Sequence, residues 1–235
     1  MTEPEFERNC ERLWGEIEDA VAIFYTAEEI QDCARRDENI LNAIQHDALF
    51  WKVQVHALQS ALFIALGRIF DISGDAYSIH KLMRDTGRHF ALLFSHEALR
   101  ARKAMLNLRS QDLDNYFVGL WQPDPLAVKT LRKALAPHVK RYSDVYLPLR
   151  NQYFAHTLVV DQTVVNNLFA NTNRLELEET LLFAREVVAL VQEMYLNGGE
   201  PKLGILVHER YREEIRRSAS NVLGKLGQLH ARRAE

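Results

Sequence analysis

Apolar residues recur every three or four positions along most of this chain, and this spacing limits its fold more than any other feature. The first segment shows it through Phe6, Cys10, Leu13, Trp14, Ile17, Val21 and Phe24. Such a period lines one face of an α-helix with apolar side chains. The alternation at every second residue that marks β-strands is nearly absent. The pattern therefore predicts an all-α fold, a helical bundle.

Capping and helix-breaking residues predict where the helices begin and end. Thr2 followed by Glu5 is a capping box, and it opens a helix that should reach about Cys33. Further helices are predicted at about 38–46, 49–70, 78–88, 95–107, 125 into the 147–158 segment, 175–195 and 205–229. The 49–70 helix is apolar around much of its circumference, which favours a central position in the bundle.

Three stretches between these helices are less regular. Residues 109–124 are predicted to form the longest irregular connection. Their aromatic residues are expected to pack against the core rather than to lie exposed. Pro137 and Pro148 should kink the helix that begins at Pro125 or make it restart, because each proline lacks a backbone donor. Val159, Val160, Val164 and Val165 leave open a short extended pair.

Length and charge bound the organisation of the chain. With 235 residues and 47% hydrophobic content, residues 1–235 fit a single helical domain. The net charge of −3 is unevenly distributed: residues 1–50 carry 4 Lys/Arg against 13 Asp/Glu, and residues 51–156 carry 15 against 8. A basic block inside an acidic protein is either a solvated face or a contact for a phosphate backbone.

Several classes of site lack their sequence signature. No His pair lies three or four residues apart, no Glu-x-x-His occurs, and the phosphate-binding glycine loops are missing, so neither metal nor cofactor is predicted. Cys10 and Cys33 lie on apolar helical positions and are expected to be free buried thiols. The acidic N-terminus and the lack of a long uninterrupted apolar stretch predict a cytoplasmic protein without a membrane segment.

Residues 147–158, LPLRNQYFAHTL, concentrate the chemistry-bearing side chains. They place Arg150, Asn151 and His156 on about two turns of one predicted helix. These side chains supply a permanent cation, a neutral hydrogen-bonding group and an imidazole that can transfer protons near neutral pH. At about 100° per residue His156 lies about 120° around an α-helix from Arg150, with Tyr153 between them. Such a pair also occurs by chance on many polar helix faces.

The run R-N-Q-Y-F-A-H at 150–156 resembles the signature of the HEPN superfamily, and its form resembles the abortive-infection U-type branch. The segment HALQSALFIALGRIFD at 56–71, with Arg68 three residues before Asp71, resembles an earlier core helix of that branch. The resemblance covers roughly residues 45–195 and implies a HEPN-like helical bundle with additional N- and C-terminal helices. It also implies a two-fold homodimer whose motifs meet in one cleft, and a role in antiviral defence or a toxin–antitoxin pair with an antitoxin partner.

The motif and the resemblance together predict a metal-independent endoribonuclease acting on RNA. His156 would be the general acid or base, Arg150 would clamp the phosphate oxygens, and Asn151 would be an orienting hydrogen-bonding group. Tyr153 would contact the substrate from the cleft wall. One alternative is a non-catalytic helical module that binds nucleotide, RNA or a protein partner through the same cleft. A purely structural dimerisation protein is another.

Overall fold

A computed structural model describes residues 1–72, 76–106, 110–154, 162–204 and 208–234 of the chain. Helices account for 85% of the structure, and no strand occurs in the described residues. The prediction of an all-α fold is therefore confirmed.

The helices follow one another with short connections. In chain order they are α1 (Glu3–Arg36), α2 (Glu38–His46), α3 (Ala48–Phe70), α4 (Ile79–Arg88), α5 (Phe90–Phe94), α6 (His96–Ala104), α7 (Ser110–Phe117) and α8 (Pro125–Arg141). After α8 come a π-helical segment (Tyr142–Tyr146), α9 (Leu147–Leu149), a second π-helical segment (Arg150–Phe154), α10 (Gln162–Ala170), α11 (Arg174–Asn197) and α12 (Glu209–Ala234).

Several helix starts are capped by side-chain hydrogen bonds, whereas Ser78, predicted to cap α4, makes none among the described residues. The Glu5 amide donates to Thr2 Oγ1 at 3.4 Å, and the Thr2 amide donates to the Glu5 carboxylate at 3.2 Å, which completes the capping box. Asp124 accepts from the Leu126 amide at 2.8 Å at the start of α8. Gly198 ends α11 with φ of +66°, a conformation that glycine adopts without a steric penalty.

Two expectations about irregular segments are wrong. Residues 110–117, predicted to be irregular, form α7, and the Tyr116 hydroxyl donates to the Asn197 carbonyl at 2.8 Å. Tyr116 is thereby pinned, as expected for the aromatic residues of this stretch. Val164 and Val165 lie in α10 rather than in an extended pair. Val159 and Val160 lie outside the described residues.

The two prolines act differently on the helix that carries the motif. Helix α8 continues through Pro137, whereas a π-helical segment replaces α-helix just before Pro148. A proline ring clashes with the carbonyl four residues earlier, and a π-helical turn relieves that clash by widening the backbone spiral. Residues 147–154 of the motif are therefore carried by a short α turn and a π-helical segment instead of the single α-helix expected from the sequence.

The described chain divides into two compact units. The first comprises Met1–Ile17, Arg68–Asp144 and Glu179–Leu206, and the second comprises Glu18–Gly67, Val145–Glu178 and Val207–Glu235. The prediction of one domain over residues 1–235 stays a prediction.

The first unit has an aromatic core around one partly buried cation. Phe6 and Phe94 pack edge to face at 5.9 Å, and Phe6 lies 5.2 Å from Tyr195. Arg102 lies 4.0 Å over the Tyr195 ring and donates to the Leu93 and Tyr195 carbonyls, each at 2.8 Å. The hydrogen bonds and the cation–π contact offset the cost of partly burying this charge.

In the second unit residues of α1, α2 and α12 form a separate apolar cluster. Cys33, Ile40 and Leu223 are buried there, and Trp51 packs against them. In contrast, Leu49, Phe50 and Val53 at the start of α3 are exposed, so the expectation of a central position for this helix is wrong over its first turns.

Among the described helices, α3 alone is long and apolar enough to cross a membrane. Core helices of globular proteins meet the same two criteria of length and composition.

Candidate functional site

The side chain of Arg150 is held against α3 within the second unit. Arg150 opens the second π-helical segment, and Gly67 of α3 leaves space for it: a Cβ at position 67 would lie 2.8 Å from Arg150 Cζ. Arg150 Nη1 donates to Asn151 Oδ1 at 2.9 Å. Arg150 Nε is buried and has no hydrogen-bond partner among the described residues. A guanidinium has five N–H donors, so this cation is positioned with donors to spare.

Two of the residues that follow Arg150, Tyr153 and Phe154, belong to a cluster of four aromatic rings. The rings of His56, Tyr153, Phe154 and Phe169 form what we call the aromatic wall. Phe154 stacks on the buried Phe63 of α3 at 4.6 Å, which fixes the base of the wall. Tyr153 is 39% exposed and packs edge to face on Phe169 at 5.1 Å. A partly exposed ring fixed by its neighbours can stack on a nucleobase.

The wall contains a second histidine beside the motif. The His56 ring lies 6.0 Å from the Tyr153 ring and 6.1 Å from the Phe154 ring, and the side chain is exposed. His56 has no local sequence signal that marks it as a site residue, although it begins the second segment that carries the resemblance. Gly67 has no such signal either, because the apolar period predicts helix α3 but not which of its residues faces Arg150.

The predicted site residues are not all brought together in the described part of the chain. Arg150 and Asn151 are hydrogen-bonded, and Tyr153 lies in the aromatic wall. His156 lies outside the described residues. The separation of 120° between Arg150 and His156 assumed α-helical winding, but residues 150–154 wind as a π-helix, which has more residues per turn. The angle of 120° therefore does not apply to residues 150–154.

The described residues offer neither a metal site nor an activated thiol. In the described ranges no group of three or more His, Cys, Asp or Glu side chains could hold a metal ion. Cys10 and Cys33 are free and buried, as predicted. Burial, assisted by Glu11 and other nearby carboxylates, raises the pKa of Cys10 to about 12, so this thiol is not a ready nucleophile. Burial also lowers the pKa of His80 and of His138.

The helical fold of the described residues and the Arg150–Asn151 pair fit the HEPN class that the sequence resembles. The family model described as AbiU2 matches residues 3–221, so the chain belongs to this HEPN-type, abortive-infection-related family. No curated protein matches the chain, and no solved structure matches it.

Proposed function

We propose that the protein is a metal-independent endoribonuclease. The observation that carries this proposal is the position of Arg150, which Gly67 and Asn151 hold in place while its buried Nε has no partner among the described residues. A positioned guanidinium grips two phosphate oxygens in one plane and stabilises the charge that develops on phosphorus in the transition state.

RNA supplies its own nucleophile in this reaction. The 2′-oxygen attacks the neighbouring phosphorus, the bond from phosphorus to the 5′-oxygen breaks, and a 2′,3′-cyclic phosphate and a 5′-hydroxyl result. One group must take the proton from the 2′-hydroxyl, and one must give a proton to the leaving 5′-oxygen. We assign His156 to one of these transfers and Arg150 to the phosphate, with Asn151 orienting the guanidinium through its carboxamide oxygen.

The aromatic wall adds two elements to this mechanism. Tyr153 offers a partly exposed ring against which a base next to the cleaved bond can stack. His56 offers a second imidazole beside the motif, so two histidines in one chain can divide the two proton transfers.

The setting follows from the family. We propose that the protein acts on RNA in the cytoplasm, in abortive infection or in a toxin–antitoxin pair. We further propose that it works as a homodimer in which two motifs face one cleft. An isologous interface of this kind would bring two cations to the same phosphate-binding surface.

The test is incubation of the pure protein with mixed RNA in EDTA. We expect cleavage to persist and the products to end in 2′,3′-cyclic phosphate and 5′-hydroxyl. His156→Ala should reduce the rate by a factor on the order of 10² to 10⁴. Arg150→Ala should do comparable damage, and Arg150→Lys should restore only part of it, because an ammonium cannot form the planar double contact.

Two outcomes contradict the proposal. Undiminished cleavage by the His156→Ala protein would remove the catalytic assignment. Tight binding of RNA or nucleotide by the wild-type protein, with no cleavage at any pH between about 5 and 9, would favour the non-catalytic binding module.

A further inference from the structure

Helices α4 and α8 concentrate the positive charge of this acidic protein. Together they carry eight Lys/Arg residues and one acidic residue, Asp85, whereas the whole chain has a net charge of −3. The two helices pack against each other within the first unit. Much of the basic block seen in the sequence is thus folded onto one pair of neighbouring helices.

A cavity of about 510 Å³ lies between these helices and is lined by cations. Arg84, Arg132, Lys140 and His80 contribute to its wall beside apolar side chains. The Nε2 atom of His80 is buried and has no hydrogen-bond partner among the described residues. A concave surface with several cations at its wall focuses the electrostatic potential and attracts anions more strongly than the same charges on a flat face.

Arg132 is the best-positioned of these cations. Its Nη2 donates to the Met83 carbonyl at 2.5 Å, and its guanidinium lies against Gly87, where an added Cβ would be 3.0 Å from Nη2. Among the described residues no carboxylate pairs with Arg132. Its position is therefore fixed by a neutral backbone oxygen, and its charge is not cancelled.

The other two cations of the cavity each have a carboxylate partner. Arg84 pairs with Asp85 at 3.0 Å and Lys140 pairs with Asp144 at 2.5 Å, while the Arg84 and Lys140 side chains are 57% and 76% exposed. Asp144 is exposed as well, so the Lys140 pair exchanges readily with solvent and other ions, whereas Asp85 is buried and offsets part of the Arg84 charge. A phosphate that enters the cavity can therefore recruit Lys140 readily, and Arg84 through the exposed part of its side chain.

We propose that the cavity between α4 and α8 is a phosphate-binding site that holds the backbone of single-stranded RNA. The ligand class comes from the proposed function, but the site uses different residues from the Arg150 motif. A ribonuclease with a second backbone contact would hold a longer stretch of its substrate than the cleaved dinucleotide.

The test compares two variants that remove the same amount of charge. In the first, Arg84→Gln, Arg132→Gln and Lys140→Gln are combined. In the matched control, three exposed cations of α12 are replaced as Arg217→Gln, Lys225→Gln and Arg232→Gln. Binding is measured by fluorescence anisotropy with a labelled 2′-O-methyl RNA oligonucleotide, which has no free 2′-hydroxyl and so cannot be cleaved.

We expect the α4/α8 variant to bind the oligonucleotide at least tenfold more weakly at about 0.1 M salt. The slope of log affinity against log salt concentration should become shallower by about 2, because the variant loses three cations and each phosphate contact on a single strand contributes about 0.7. The α12 control should keep the wild-type affinity and slope. Equal affinities and slopes for the two variants would overturn the proposal. If the triple variant does not fold, Arg132→Lys keeps the charge and should still weaken binding measurably.

Competitors identify what the site recognises. Displacement of the oligonucleotide by millimolar inorganic phosphate or AMP supports a site for a single phosphate, and displacement only by longer oligonucleotides supports a site for the backbone. Displacement by polyglutamate as effective as by RNA would refute phosphate recognition. RNA binding at α4/α8 without any cleavage would leave this inference intact and remove the ribonuclease proposal.

Discussion

The side chain of Arg150 occupies space that any residue other than glycine at position 67 would fill. Both residues lie in the second unit, one on α3 and one on the π-helical segment. Glycine inside a helix costs about 1 kcal/mol relative to alanine, so its presence at this point lowers the stability of α3. In exchange for this loss of stability, the missing side chain at position 67 leaves the space that Arg150 occupies, which is the position that the proposed reaction needs.

Replacing Gly67 with alanine should therefore separate activity from stability. We expect Gly67→Ala to displace the guanidinium and reduce RNA cleavage at least tenfold, while the thermal midpoint stays the same or rises because alanine favours the helix. Gly224→Ala is the matched control, since a Cβ at position 224 meets nothing within 4 Å. Full activity of Gly67→Ala would show that Arg150 need not occupy this position.

His56 offers a test of how the proton transfers are divided. If His56 is one of the two groups, His56→Ala should lose one limb of a bell-shaped pH–rate profile and lower the maximal rate on the order of 10²-fold. His56→Phe keeps an aromatic ring in the wall and should be equally impaired. His46→Ala, at an exposed histidine of α2, is the control. If the His56→Ala protein keeps both limbs of the pH–rate profile, His56 transfers no proton and serves only as part of the aromatic wall.

At the scale of helices, one buried carboxylate ties α1 to α12. Glu29 of α1 is 3% exposed, and the Ser220 hydroxyl of α12 donates to it at 2.6 Å. Arg36 also pairs with it, and Arg216 lies 3.6 Å away. Burial alone would raise the pKa of Glu29, but hydrogen bonds from Ser220, Cys33 and Arg36 outweigh it and hold the pKa below the ordinary 4.5.

This carboxylate should make stability depend on pH in the acid range. Because the pKa of Glu29 is lower in the folded state, its contribution is fully present above about pH 4.5 and is lost as the pH falls below that value. Glu29→Gln should lower the free energy of unfolding by about 1–3 kcal/mol at pH 7 and flatten its decline below pH 4.5. Urea unfolding at several pH values measures both effects.

A control at an exposed position separates this contact from a general loss of charge. Glu213→Gln on α12 removes the same charge from the surface and should change stability by less than about 0.5 kcal/mol. If the two variants unfold alike at pH 7, the contact between α1 and α12 contributes nothing measurable.

For the whole molecule, the oligomeric state decides whether one motif or two line the proposed cleft. We expect a homodimer, with a mass by light scattering near twice 27.2 kDa at micromolar concentration. If the motifs of two copies share one cleft, mixing the inactive Arg150→Ala and His156→Ala proteins should restore measurable cleavage, because a mixed dimer still holds one arginine and one histidine. A monomeric mass, or a mixture without activity, would contradict this arrangement.

The sequence by itself determined where most helices begin and end, and which residues carry the motif. Capping residues, helix-breaking residues and the backbone hydrogen bond to the fourth preceding residue all depend on neighbours within about one turn. The helix ends at Thr2, Asp124 and Gly198 therefore follow from the local sequence. The Arg150, Asn151 and Tyr153 side chains were identified as candidates for the same local reason, through their spacing.

Only the tertiary structure decided what those residues face. Gly67 and His56 lie about 90 residues from the motif in sequence, and Arg132 lies 49 residues from the carbonyl that holds it. The register between packed helices depends on how their side chains interdigitate, which an apolar period does not encode. The π-helical winding of Tyr142–Tyr146 likewise reflects competition between the clash at Pro148 and the surrounding packing, which is decided only when the helices meet.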